Sequence, residues 1–201
     1  MAVAFTISFS LIAVTVFIHF WAGVPVGDLT RDPVAVTGGA VYIGFLSQTG
    51  IFFWAASAAV CLFTAHVLAR RPDVAPARNF FFAAGLLSLL LGIDDVFLLH
   101  ERLLPGLGIP ELVVYGTYVA LILLWLVRYR GIMMRSEYVL LGMALAFFGI
   151  SVMADALNPD VPGRVLLEDG AKITGIVSWL VYFFRCGALE LRNDAGRPGS
   201  W

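Results

Sequence analysis

An aspartate pair, Asp94-Asp95, is followed by His100-Glu101, with Glu101 seven residues beyond Asp94. Further along, Glu168-Asp169 precede Lys172, the only lysine in the chain. Asp155 stands in an apolar stretch between them. Carboxylates and imidazole around a wet pocket can ligate zinc, manganese or iron, and a metal there would lower the pKa of bound water. Without metal, the same groups can pass protons. The expected metal ligands are Asp94, His100, Glu101, Asp155 and Asp169. The expected catalytic groups are Asp94, Glu101 and Glu168, with Lys172 stabilising charge. The spacing carries no HExxH, HxxxH or Glu-xx-His pair, so the signal is a constellation and not a motif.

Such groups need elements to hold them, and the composition says which. Hydrophobic residues make up 60% of the 201 and charged ones 13%, with a mean hydropathy of +0.90. Soluble domains carry about 25% charged residues, so the bilayer is the natural solvent for this chain. The net charge of −1 argues against nucleic acid as a partner. Cys61 and Cys186, the only cysteines, read as small core residues and not as a disulfide framework.

Six stretches are apolar for about 20 residues, the length that crosses a bilayer. They predict helices at 3–23, 41–69, 79–103, 111–130, 137–157 and 166–190. Proline and glycine punctuate the gaps: Pro72 and Pro76, Pro105-Gly106, Pro110, Pro159 and Pro162-Gly163. Residues 2–22 lack a preceding basic residue and exceed a signal-peptide core, so they read as a retained helix. The prediction is an all-α polytopic bundle over residues 1–191, with a polar tail at 192–201.

Orientation follows from basic residues. With both termini cytoplasmic, that side holds Arg70, Arg71, Arg78, Arg128, Arg130, Arg135, Arg185, Arg192 and Arg197, against Arg31, Arg102, Arg164 and Lys172 outside. The bias fits a bacterial inner membrane. Most acids, with His19 and His100, then fall toward the outer end. No internal repeat is visible, because the third and sixth helices carry their acids at opposite ends.

A third helix running to 103 would put Asp94 and Asp95 about nine residues inside its end, well over 10 Å deep. Charges there cost about 2.5–3.5 kcal/mol, so they should face the bundle interior. Adjacent acids point about 100° apart and should find different partners, while Asp94 and Glu101 would share a face. Glu168 and Lys172 make an i, i+4 pair in the favourable order, although Lys172 could instead neutralise Asp94 or Asp95. Glu111, Tyr115 and Tyr118 form a polar stripe on the fourth helix, and Ser151, Asp155 and Asn158 another on the fifth.

Asp and His inside a helical bundle resemble membrane hydrolases of the alkaline ceramidase and adiponectin-receptor type. Those have seven helices and an HxxxH pair that is absent here. The acid one turn before Lys172 resembles the last helix of microbial rhodopsins, where the lysine lies mid-helix among seven. Retinal is not expected, since Lys172 lies close to a helix start among six helices, and haem is not expected, since His19, His66 and His100 lie at different depths. The leading functional expectation is a metal-dependent or acid–base membrane enzyme acting on a lipid or amphipathic substrate. The alternatives are an accessory or assembly subunit associated with other membrane proteins, and a proton or cation transporter. Membrane lipids are expected partners in every case.

Overall fold

The computed structural model describes residues 2–69, 72–157 and 162–195. Among them there is no strand, and nine α-helices follow in order. They are α1 (Ala2–Ala22), α2 (Val26–Thr30), α3 (Pro33–Thr37), α4 (Phe45–Leu68), α5 (Ala75–Phe97), α6 (Leu104–Gly106), α7 (Glu111–Met133), α8 (Tyr138–Leu157) and α9 (Arg164–Ala195). Six of them, α1, α4, α5, α7, α8 and α9, are long and apolar enough to cross a membrane. The protein is an all-α, multi-pass membrane protein. Arg70, Arg71, Arg197, Asn158 and Asp160 lie outside the described residues.

The chain forms two compact units, residues 1–45 and 46–201. In the first, α1 is apolar on every side and buries nothing within its unit, as suits a helix solvated by lipid. Two short helices follow. Asp32 starts α3 by accepting hydrogen bonds from the Val34 and Ala35 amides at 2.8 and 3.3 Å, with Pro33 at the first helical position. His19 bonds through Nδ1 to the Val24 carbonyl at 2.7 Å, and so ties the end of α1 to the loop that leaves it.

The second unit is a bundle of α4, α5, α7, α8 and α9. Its core is aromatic. Trp179, Tyr182, Phe183, Phe80 and Trp125 are buried, with Phe80 stacked on Trp125 at 5.2 Å and Trp179 edge-on to Phe183 at 4.9 Å. Phe52, Phe63, Leu124 and Val127 point outward, an exposed apolar girdle that water would not tolerate and hydrocarbon would.

In lipid the hydrophobic effect does not drive helices together, so close packing must. Glycines permit it. A Cβ on Gly175 of α9 would lie 2.6 Å from the Phe148 ring of α8, and one on Gly85 of α5 would lie 2.8 Å from Leu62 of α4. At Gly92 of α5 the missing Cβ leaves room for Trp54, whose own Cβ would stand 3.0 Å away.

The third predicted helix is where the structure departs from the sequence reading. It stops at Phe97, and Leu98 takes the left-handed conformation at φ 50°, ψ 49°, its amide bonding back to the Asp94 carbonyl. A single π-type turn, Leu99–Leu103, follows. Asp94 and Asp95 therefore sit in the last helical turn and not nine residues inside the end. The regular-helix phase that put Glu101 on the Asp94 face is lost at Leu98.

Candidate functional site

The break at Leu98 folds the chain back so that His100 falls over Asp94. The Asp94 carboxylate accepts three hydrogen bonds. The His100 amide donates to Oδ1 at 2.9 Å, His100 Nδ1 donates to Oδ2 at 2.5 Å, and the Tyr118 hydroxyl from α7 donates to Oδ1 at 2.9 Å. Both Asp94 and His100 are buried, at 4% and 6% exposure. This is how a carboxylate survives at the end of an apolar helix: its lone pairs are filled by donors, one of which can carry positive charge.

His100 sits among groups from three elements. Its other ring nitrogen, Nε2, lies 3.5 Å from the Glu101 carboxylate, which is half exposed. The Tyr115 ring of α7 lies 4.9 Å from the imidazole. Burial works against a charge on His100. The hydrogen bond and charge of Asp94 outweigh it, with help from Glu101 and opposition from Lys172, and the imidazolium is held above the usual histidine range.

Asp95 points elsewhere. Lys172 Nζ of α9 pairs with its Oδ1 at 2.5 Å, and the Trp54 indole of α4 donates to its Oδ2 at 2.9 Å. Gly92, one turn earlier, provides the close α4–α5 approach that brings the indole there. A third carboxylate, Asp155 of α8, accepts from the Tyr115 hydroxyl at 2.7 Å. Five helices thus meet through polar groups at one end of this unit.

The predicted site residues separate into those brought together and those left apart. Asp94, His100 and Glu101 form one group, and Lys172 is joined to it through the neighbouring Asp95. Asp155 is linked to His100 only by way of Tyr115. Glu168 pairs with Arg164 at 3.4 Å and not with Lys172. The Asp169 carboxylate makes no hydrogen bond or ion pair among the described residues. Four contributors carry no role assigned from the sequence. Asp95 had the same signal as Asp94 and was passed over for it. Tyr115 and Tyr118 were visible as a polar stripe, but a tyrosine on a membrane helix is ambiguous until its partner is known. Trp54 gave no signal.

The metal expectation meets the geometry badly. Among the described residues, no group of three or more His, Cys, Asp and Glu side chains is placed to hold a metal ion. Asp94 and His100 spend their atoms on each other, and Asp155 on Tyr115. The donor set is that of a hydrogen-bonded network.

A family model described as a domain of unknown function, DUF8692, matches residues 2–186. The chain belongs to the DUF8692 family. The match takes in α1 through most of α9, and therefore every residue of the Asp94 network in this DUF8692 member. No curated protein and no solved structure matches the chain.

Proposed function

We propose that this protein is a membrane enzyme of acid–base type, acting on a lipid or other amphipathic substrate at the end of the bundle that carries Asp94 and His100. The observation that supports the reading is the Asp94–His100 pair: a buried carboxylate fixes Nδ1 and leaves Nε2 turned toward the half-exposed Glu101. A carboxylate on Nδ1 fixes the ring's orientation and tautomer and makes Nε2 a stronger base once it is neutral. His100 acts as an acid, giving its Nε2 proton to the leaving oxygen as that oxygen's bond to the substrate breaks, while water or a substrate hydroxyl forms the new bond and gives up its proton to Glu101. Glu101 is the group positioned to relay that proton. Lys172, tied to Asp95, supplies positive charge beside the centre.

The topology proposal that goes with this puts both termini in the cytoplasm and the site at the outer face of a bacterial inner membrane. The nine-to-four split of basic residues supports it.

The test is lipid chemistry in a defined bilayer. Proteoliposomes of mixed phospholipids and sphingolipids are incubated with wild type or His100→Gln, and the extracts are compared by mass spectrometry. A product made only by wild type is the expected result. Identical extracts would remove the enzyme reading.

A second reading, an accessory subunit of a larger membrane assembly, is favoured by one observation. Among the described residues, no buried side-chain nitrogen or oxygen lacks a partner. A network so fully satisfied can serve simply to fix helix positions. Co-purification with other chains that persists in His100→Gln would favour it. Transport has the least support. Between the two ends the buried hydroxyls of Ser57, Thr64, Ser88 and Ser178 bond to carbonyls of their own helices and form no relay.

A further inference from the structure

The connection that carries His100 differs in kind from the others of this unit. Those are polar in sequence: Arg70-Arg71-Pro72-Asp73, Arg135-Ser136-Glu137 and Asn158 to Arg164. Between α5 and α7 the chain instead reads Leu98-Leu99 before His100, and Leu103-Leu104-Pro105-Gly106-Leu107-Gly108-Ile109-Pro110 after Arg102. Its apolar side chains are not tucked away. Leu103 and Ile109 are exposed, and Leu107, with Leu112 just beyond, is more so, at 73% and 81%. Leu103 and Leu107 stand one turn apart, the Leu107 amide bonding to the Leu103 carbonyl at 3.2 Å, so their side chains share a face. Along the chain that face is flanked by exposed apolar residues of both helices, Val96 and Phe97 at the end of α5 and Leu112 and Val113 at the start of α7.

The backbone of this segment spends its donors internally. The Leu98 amide bonds to the Asp94 carbonyl, and the His100 amide to the Asp94 carboxylate. Those of Arg102 and Leu103 both reach the Leu98 carbonyl, at 2.9 and 3.1 Å. Leu107 and Ile109 donate to the Leu104 carbonyl at 3.0 Å, and Gly108 to that of Pro105 at 2.9 Å. Pro105 and Pro110 have no N–H to place. A loop bathed in water has no need of such economy, since water satisfies its amides. At a lipid boundary an unpaired amide is costly, so a loop there must satisfy its own.

We propose that the α5–α7 connection is a membrane-inserting wedge, with Leu103, Leu107, Ile109 and Leu112 packed among phospholipid acyl chains at the headgroup–acyl boundary of the adjacent leaflet. Two features select acyl chains over another protein as the occupant. The leucine face runs on into the outward-facing apolar residues of α5 and α7. Its side chains are large and flexible, whereas helix contacts within membranes favour small residues. The insertion is shallow, about 5–10 Å, as for amphipathic helices that lie in the interface. Arg102 keeps its charged head among the headgroups on its aliphatic stem. The Asp94–His100 centre, at the base of the wedge, then lies level with the headgroups. Joined to the enzyme reading, this makes the leaflet itself the source of substrate; the insertion does not depend on that reading.

The test uses the full chain in phosphatidylcholine vesicles, with a nitroxide spin label on Leu107→Cys. Cys61 and Cys186 are buried, and unsubstituted protein treated with the label gives the background. Power saturation compares collisions with oxygen, which concentrates in hydrocarbon, and with a nickel chelate, which stays in water. Labels on Leu124→Cys, on the apolar girdle, and on Arg135→Cys, in the polar turn after α7, set the two limits. The oxygen-to-nickel collision ratio at Leu107 is expected to lie nearer that of Leu124 than that of Arg135. Leu103→Cys, on the same face, should behave alike, and it carries the test if Leu107→Cys fails to fold. A ratio near that of Arg135 overturns the proposal by placing the loop in water. Shielding from both reagents, with broadening by a neighbouring label, overturns it too, because a second copy would then cover the face. Neither outcome depends on whether His100 does chemistry, so the wedge and the enzyme reading fail separately.

Discussion

His100 stands six residues after Asp94, yet the Asp94 carboxylate accepts hydrogen bonds from both its backbone amide and its imidazole. In an unbroken helix residue i+6 is about 120° out of register in phase and some 9 Å further along. The pairing exists only because the helix ends at Leu98. Asp94→Asn weakens a charge-assisted pair in a buried setting, and a loss of about 1.5–3 kcal/mol in stability is expected. Thermal unfolding in detergent measures it. An Asp94→Asn protein that melts like wild type would mean the pair contributes nothing to the fold.

The pair also sets a pH dependence. The groups that face His100 are Asp94 from α5, Glu101 on its own turn, Lys172 from α9 and the Tyr115 ring from α7. Their net effect raises the imidazole above its ordinary value of about 6.5. A group raised on folding gives its full stabilisation below that ordinary value and loses it as pH climbs through the folded one. The melting temperature of wild type should therefore fall between pH 6 and pH 9 by more than that of His100→Gln. Parallel curves would count against it.

Lys172 and Asp95 should behave as a unit. Removing either alone leaves the other charge in a poorly solvated place, so both Lys172→Met and Asp95→Asn should destabilise. The double variant should lose less than the sum of the two. A coupling of about 0.5–3 kcal/mol is the usual range for groups in direct contact. Strict additivity would show that solvent already screens the pair, since Lys172 is one-third exposed.

Leu98 carries a conformation that glycine or asparagine takes more easily than leucine. Leu98→Asn should keep the turn and leave stability near wild type, although it exchanges an apolar side chain for a polar one. Leu98→Val, chemically the milder change, should be worse, because a β-branched residue is strained at positive φ. The reverse order of melting temperatures would show that apolar contact, and not backbone conformation, selects leucine there.

Gly175 tests the packing of α8 against α9. Its missing Cβ would meet the Phe148 ring at 2.6 Å and the Ala144 carbonyl at 3.2 Å. Gly175→Ala should cost about 1–3 kcal/mol through overpacking, in spite of alanine's higher helix propensity. A stabilised variant would mean that Phe148 swings aside freely.

The spanning helices were legible in the sequence because a bilayer imposes a length and a composition that each segment meets alone. Apolar runs and proline–glycine breaks reported six of them, with ends within a few residues for most. The same local logic singled out Asp94, His100, Glu101 and Lys172, which the fold brings into one hydrogen-bond and ion-pair network. What it could not supply was partnership. Whether Lys172 answers Glu168 on its own helix or Asp95 on another depends on how α9 packs against α5, and nothing within either segment encodes that distance. The end of α5 shows the limit most clearly. Residues 79–103 are apolar enough to continue as one helix, and no glycine or proline marks Leu98. Only tertiary contacts, with Tyr118 and His100 both claiming the Asp94 carboxylate, offset a left-handed leucine and a π-type turn. Hydrophobic patterning is a property of single segments, while a hydrogen-bond network belongs to all the segments it joins.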